Sequence, residues 1–263
     1  MTPAAAAAAG PPLGVLLALI GLCMGRGVGL AEAACGVAGG FAAAAWVARR
    51  AAFGRLTGPR VVAAGVGATL VAVAVLAEVW AAAAVAWAGF SAAWVGGFLN
   101  EDDRRALRPW WPAAAMLVPW VWADGQWLGW QMRMTGAAAA EQTLSACFGG
   151  VDREGTTVLL GAVRLDVSAA CAGLTTLQVL LAAGLAAAAM RFGRLWLVLT
   201  SLPLVAAFAW AANVARIVGL GVLARTLGPD YATGSAHDLL GWGVVAAAGF
   251  ACVQLMPRPK AVL

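Results

Sequence analysis

Charge is scarce in this 263-residue chain. Asp, Glu, Lys and Arg together make up 11% of it, against about 25% in an ordinary soluble domain. There is one lysine (Lys260), one histidine (His237) and one tyrosine (Tyr231). So few charged groups cannot solvate the surface of a water-soluble globule, which excludes that class. Disorder is excluded by the opposite excess, because 63% of the residues are hydrophobic and such a chain collapses. A single histidine rules out a His-x-x-x-His zinc pair, and none of the five cysteines stands in a Cys-x-x-Cys pair. No metal and no cofactor is therefore expected.

What remains is apolar sequence in long runs, and the fold class expected is an all-α polytopic membrane protein. A crossing helix needs about 20 mostly apolar residues. The intervals between charged clusters give eight such spans: about 13–31, 33–48, 61–77, 79–99, 109–123, 168–190, 195–216 and 237–256. Residues 61–99 as one helix would measure about 58 Å, so two crossings with a division at Glu78 fit better. A similar division is placed at Glu32. Met1–Pro12 lacks a basic start, so a cleaved signal peptide is not expected.

Basic residues check the map independently. They cluster at Arg49–Arg60, Arg104–Arg108, Arg191–Arg194 and Arg258–Lys260, with two spans in each interval between clusters. All four clusters thus lie on one side, which the positive-inside rule makes cytoplasmic. That side carries eleven basic and three acidic residues, the other six basic and nine acidic, giving +8 and −3 within the total of +5. The basic balance records orientation, and no nucleic-acid partner is needed to explain it.

The chain is expected to be one integral membrane domain over 1–263: N-terminal spans (1–123), an outer-face segment (124–167) and a C-terminal set of spans (168–256). In the middle segment, Thr156–Leu160 and Val163–Val167 flank Gly161-Ala162 and read as a β-hairpin. Tryptophans 110, 111, 120, 122, 127 and 130 suit an interfacial aromatic belt.

Three reactive side chains fall near the outer ends of the last three spans on this map. Cys171 lies among Ala169, Ala170, Ala172 and Gly173 at a helix start, where the macrodipole favours a thiolate and small neighbours admit a peptide. Cys23, Cys35 and Cys252 read as small buried hydrophobes. Arg216 interrupts an apolar run, with Asn213 three residues earlier on the same helix face. Its guanidinium either snorkels to headgroups or serves a developing oxyanion. His237 opens the last span and is the one side chain here with an ordinary pKa near neutrality. Nucleophile, oxyanion donor and proton carrier are the parts of thiol acyl transfer.

Ala170-Cys171-Ala172-Gly173-Leu174, Asn213-Val214-Ala215-Arg216-Ile217 and His237-Asp238-Leu239-Leu240-Gly241-Trp242 resemble the three motifs of the exosortase/archaeosortase family. The resemblance covers roughly residues 125–256 and includes their order and spacing. Many members carry Ser after the cysteine, where this chain has Ala172. The resemblance implies a membrane-embedded cysteine protease and transpeptidase of the cell membrane, with its site on the extracytoplasmic face. Its catalytic residues would be Cys171, Arg216 and His237, with Asn213 in support. The implied partners are exported proteins ending in a sorting signal (a short motif such as Pro-Glu-Pro, an apolar helix and a basic tail), the membrane lipid, and a lipid or polysaccharide acceptor. The alternative is a non-catalytic multi-pass carrier or scaffold, or an inactive paralogue. The Gly36-x-x-Gly39-Gly40 packing pattern speaks for it. Ionisable groups gathered at one face of the C-terminal half speak against it.

Overall fold

The computed structural model describes residues 3–26, 30–50, 58–167, 173–228 and 234–257. Alanine- and leucine-rich stretches without internal charge fold as helices, because these residues lose least on entering one. Chain packing divides them into two compact units: residues 1–124 with 185–201, and residues 125–184 with 202–257.

The first unit opens with α1 (Pro3–Met24) and α2 (Leu30–Arg50), followed by α3 (Gly58–Leu76) and α4 (Trp80–Val95). α1 packs on α2, α3 on α4, and α1 on α4, around Leu16, Ile20, Trp80, Trp87, Phe90 and Val118. Pro11 lies inside α1 and offers no N–H to the carbonyl four residues back. That carbonyl, on Ala7, instead accepts from the Trp94 indole at 2.9 Å.

The division expected at Glu78 is present: Glu78 takes φ 59° between α3 and α4. The one expected at Glu32 lies earlier, because α1 stops at Met24 and α2 already begins at Leu30. The α3–α4 turn is tied down from two sides. Arg26 pairs with Glu78 at 2.5 Å, and the hydrogen bond from Arg26 holds the Glu78 carboxyl below its ordinary range. This contribution is present above the unfolded carboxylate pKa and is lost as pH falls through the lower folded value. Both groups are exposed, so it is small.

Asp124 does more. Its carboxylate accepts from the backbone N–H of Trp80 (3.1 Å) and of Ala81 (2.6 Å), capping the otherwise unsatisfied start of α4. Removing such a cap costs about 0.5–2 kcal/mol. Asp124→Ala is expected to lower the thermal midpoint of the detergent-solubilised protein by about 2–4 °C. An unchanged midpoint would show that the cap is not holding α4.

Residues 109–123, expected as a span, are not one. Pro109, Pro112 and Pro119 break the stretch. After the seven-residue α5 (Glu101–Leu107) it holds a 3-10 turn and two five-residue helices, α6 (Trp111–Ala115) and α7 (Trp120–Asp124).

In the second unit, residues 124–167, expected as an outer-face segment, are largely helical: Gln126–Phe148 form the 23-residue helix α8. Next come β1 (Val151–Glu154), β2 (Thr157–Leu160) and β3 (Val163–Asp166), α9 (Leu174–Phe192, in the first unit from Leu185 on), α10 (Leu195–Thr200, in the first unit), α11 (Leu202–Thr226) and α12 (Gly234–Leu255). The strands form an antiparallel sheet in the order β1-β2-β3. β2 and β3 pair across Gly161-Ala162, and β1 adds a third strand that the sequence reading lacked. Val151, Val158, Leu160 and Val167 pack onto Ala137, Ala140 and Leu144 of α8 and Ile217 of α11.

α8 lies along α11 in the same direction. Trp210 donates to Thr135 at 3.1 Å, a Cβ on Gly136 would touch Ile217 and Asn213, and one on Gly221 would meet Leu144. α9 and α12 run opposite to α11: Gly173 meets Asn213 and Gly184 meets Val205, while Leu240 meets Gly219 and Gly241 meets Arg216.

The chain is a mostly helical membrane protein. Among the described residues, five stretches are long and apolar enough to cross a bilayer: Ala6–Met24, Gly58–Leu76, Leu174–Phe192, Leu195–Thr226 and Ala236–Leu255. Eight were expected. α4 is shorter, at 16 residues. The span expected at 195–216 continues to Thr226, since arginine is a good helix former and does not end a helix.

Candidate functional site

The second unit brings three of the four expected site residues into one neighbourhood. Asn213 and Arg216 sit three residues apart on α11, where side chains are neighbours on the helix surface. His237 lies in the first turn of α12. Cys171 falls outside the described residues, and Gly173, two positions on, is the nearest described part of its motif.

Asn213 is 1% exposed. Its carboxamide lies against two glycines. One is Gly173, at φ 81°, where a Cβ would stand 2.6 Å from Asn213 Cγ, 2.8 Å from Oδ1 and 2.9 Å from Nδ2. The other is Gly136 of α8, where a Cβ would lie 3.7 Å from Nδ2. The Gly173 carbonyl accepts from the Leu177 N–H at 2.8 Å and so begins α9. The left-handed backbone and the missing side chain at Gly173 are thus both required. Neither Oδ1 nor Nδ2 of Asn213 has a hydrogen-bond partner among the described residues. A buried amide is seldom left so.

Arg216 is half-buried and lies on Gly241 of α12, where a Cβ would be 3.1 Å from Nε and 3.3 Å from Cζ. Gly241 is one turn beyond His237, so both face α11 from the same side of α12. The guanidinium Nη2 stands 3.0 Å from His237 Nε2 and 3.3 Å from Nδ1. Near-equal distances to both ring nitrogens place Nη2 over the imidazole face, not along one lone pair. Arg216 Nε is buried and has no partner among the described residues.

Asp238 was not singled out from the sequence. Its Oδ1 lies 3.3 Å from His237 Nδ1. A carboxylate only accepts, so a hydrogen bond in this contact requires the proton on Nδ1. The signal available was adjacency, a poor one, because consecutive helical side chains do not face each other.

The expectation for the other cysteines can be compared at two positions: Cys23 is fully buried and Cys252 is 2% exposed. Arg216 lies ten residues before the end of α11, about 15 Å along the axis. The expected placement at a helix terminus is therefore corrected. Among the described residues, no three His, Cys, Asp or Glu side chains converge as a metal site.

A guanidinium in contact with an imidazole and a buried carboxamide one turn away on the same helix, in the order of motifs read from the sequence, invite comparison with known families. The family model described as Transmembrane exosortase matches residues 31–254. The chain belongs to the transmembrane exosortase family. The match takes in Asn213, Arg216 and His237 and reaches well ahead of residue 125, where the motif resemblance began. No curated protein and no solved structure matches the chain. In this exosortase-family chain the geometry around Arg216 carries the chemical reading.

Proposed function

We propose that the chain is a cysteine protease and transpeptidase that removes C-terminal sorting signals from exported proteins at the extracytoplasmic face of the cell membrane. The observation that carries this reading is the Arg216–His237 contact at 3.0 Å. Gly173 lies against Asn213, which sits three residues before Arg216 on α11, and Cys171 precedes Gly173 by two positions in the sequence. A thiol, a guanidinium and an imidazole together supply what acyl transfer needs.

The Cys171 thiol gives its proton to His237 Nε2, and its sulfur adds to the scissile carbonyl. The carbonyl oxygen becomes an oxyanion beside Arg216, in a site where a fixed donor is worth far more than in water. His237 returns the proton to the peptide nitrogen, the C–N bond breaks, and the signal helix leaves as an amine. A thioester remains on Cys171. The acceptor (a lipid amine, a polysaccharide hydroxyl or water) loses its proton to His237 and attacks the thioester, and the sulfur leaves to re-form the thiol. Asp238 holds the tautomer that places the basic nitrogen at Nε2.

The charge asymmetry of the sequence supports the orientation. A substrate helix beside the spans would keep its basic tail in the cytoplasm and present its motif outside. The test is co-expression with a tagged protein carrying such a signal. Cys171→Ala is expected to leave it uncleaved, at normal expression and membrane insertion. Processing by Cys171→Ala at the wild-type rate would overturn the assignment.

A further inference from the structure

Two buried donors on α11 lack partners among the described residues: Nε of Arg216 and Nδ2 of Asn213. They belong to residues three apart, whose Cβ atoms are about 5–6 Å apart on a helix. One oxygen between the two side chains could therefore accept from both. Each donor is backed by a glycine that lets main chain approach without a Cβ: Gly241 beneath Nε and Gly173 against the carboxamide. The remaining guanidinium nitrogen that the structure engages, Nη2, is already occupied by His237.

We infer that Arg216 Nε–H and Asn213 Nδ2–H together form a two-donor oxyanion hole, with Asn213 a catalytic residue that touches the acyl oxygen. This rests on the acyl-transfer reading above and adds a division of labour to it. Within one guanidinium, Nη2 orients His237 while Nε faces the substrate.

The physical case is the state of Asn213. A carboxamide that is 1% exposed and makes no hydrogen bond among the described residues is held against its own desolvation cost. As a purely structural group it would contribute nothing that an apolar residue could not. As a donor kept for an oxygen that becomes negative only during the reaction, its unpaired state at rest is what a preorganised site requires. The ligand is the carbonyl of the scissile peptide. When sulfur adds, the C=O π pair moves onto that oxygen, which takes both N–H bonds. When the C–N bond breaks, the pair returns to carbon.

The experiment compares wild type, Asn213→Ala and Cys171→Ala, each as the full chain in detergent, with a sorting-signal peptide. Two rates are followed: peptide cleavage, and alkylation of Cys171 by iodoacetamide, which forms no oxyanion. Asn213→Ala is expected to slow cleavage by about 10²–10³-fold. Alkylation should change by less than about threefold, and the thermal midpoint should stay the same or rise, because an unsatisfied polar group has been removed. Should Asn213→Ala fail to insert, Asn213→Ser keeps a small polar side chain without the reach and is expected to behave the same way. Cleavage by either variant within about threefold of wild type would overturn the inference, as would cleavage and alkylation falling together. Failure of the acyl-transfer reading itself looks different: Cys171→Ala would then still cleave.

Discussion

Arg216→Lys is expected to reduce cleavage of a sorting-signal substrate by about 10²–10³-fold while the protein still inserts and folds. The loss corresponds to about 2.7–4 kcal/mol of barrier, the usual effect of removing one oxyanion donor. Lysine keeps the positive charge, so a purely electrostatic role would survive the change. What it lacks is the planar fork. The structure uses that fork at two points, with Nη2 over His237 and Nε on Gly241 with no hydrogen-bond partner among the described residues. A single ammonium cannot occupy both. The measurement is the initial rate of release of the C-terminal helix, set against the amount of protein in the membrane. A rate within about threefold of wild type would show that charge alone is sufficient.

The second large effect concerns the backbone under the site. Gly173→Ala places a methyl 2.6–2.9 Å from the three heavy atoms of the Asn213 carboxamide group and does so at φ 81°. Left-handed backbone costs a residue with a Cβ about 1–2 kcal/mol, and overpacking adds about 1–3 kcal/mol. The variant is expected to lose several degrees of thermal midpoint and most of its activity. A double-mutant cycle separates the causes, since residues in contact couple by about 0.5–3 kcal/mol. Adding Asn213→Ala to Gly173→Ala should recover the overpacking share of the stability, because the methyl then has room. The backbone strain should remain. Strictly additive losses would mean that Gly173 and Asn213 do not meet.

The sequence carried the site further than the fold. Asn213 and Arg216 were legible because each is a polar residue in a run that otherwise excludes polarity, and His237 because it is the single histidine of the chain; the structure brings Arg216 and His237 into contact. The family is equally legible, and its match extends over residues 31–254. α8 was hidden because Arg133 and Glu141 make its stretch look like a surface segment. The structure gives those charges local partners: Arg133 lies 5.1 Å from the Trp130 ring, and Glu141 pairs with Arg153 of β1 at 3.7 Å. The break in residues 109–123 was visible as three prolines, but a hydropathy interval is blind to backbone chemistry.

The glycine contacts were not legible at all. Nothing in sequence spacing says that Gly136, Gly173 and Gly241 face a carboxamide and a guanidinium, since such close approaches depend on how separate helices pack. Asp124 was counted among outer-face charges, and its role as the cap of α4 spans more than forty residues of chain. Asp238 sat in view beside His237, where local helix geometry argued against pairing until the side chains were placed.

The central claim, acyl transfer through Cys171, is tested most directly by trapping the thioester. The substrate is a sorting-signal peptide with an activated ester in place of the scissile amide, and the enzyme is wild type, quenched in acid during turnover. The better leaving group speeds acylation and leaves deacylation unchanged, so the acyl-enzyme should accumulate. Mass spectrometry is expected to find the acyl portion of the peptide on the fragment containing Cys171 and to find it released by hydroxylamine. Release of the leaving group with Cys171 unmodified, together with cleavage of the amide substrate by Cys171→Ala, would contradict the account.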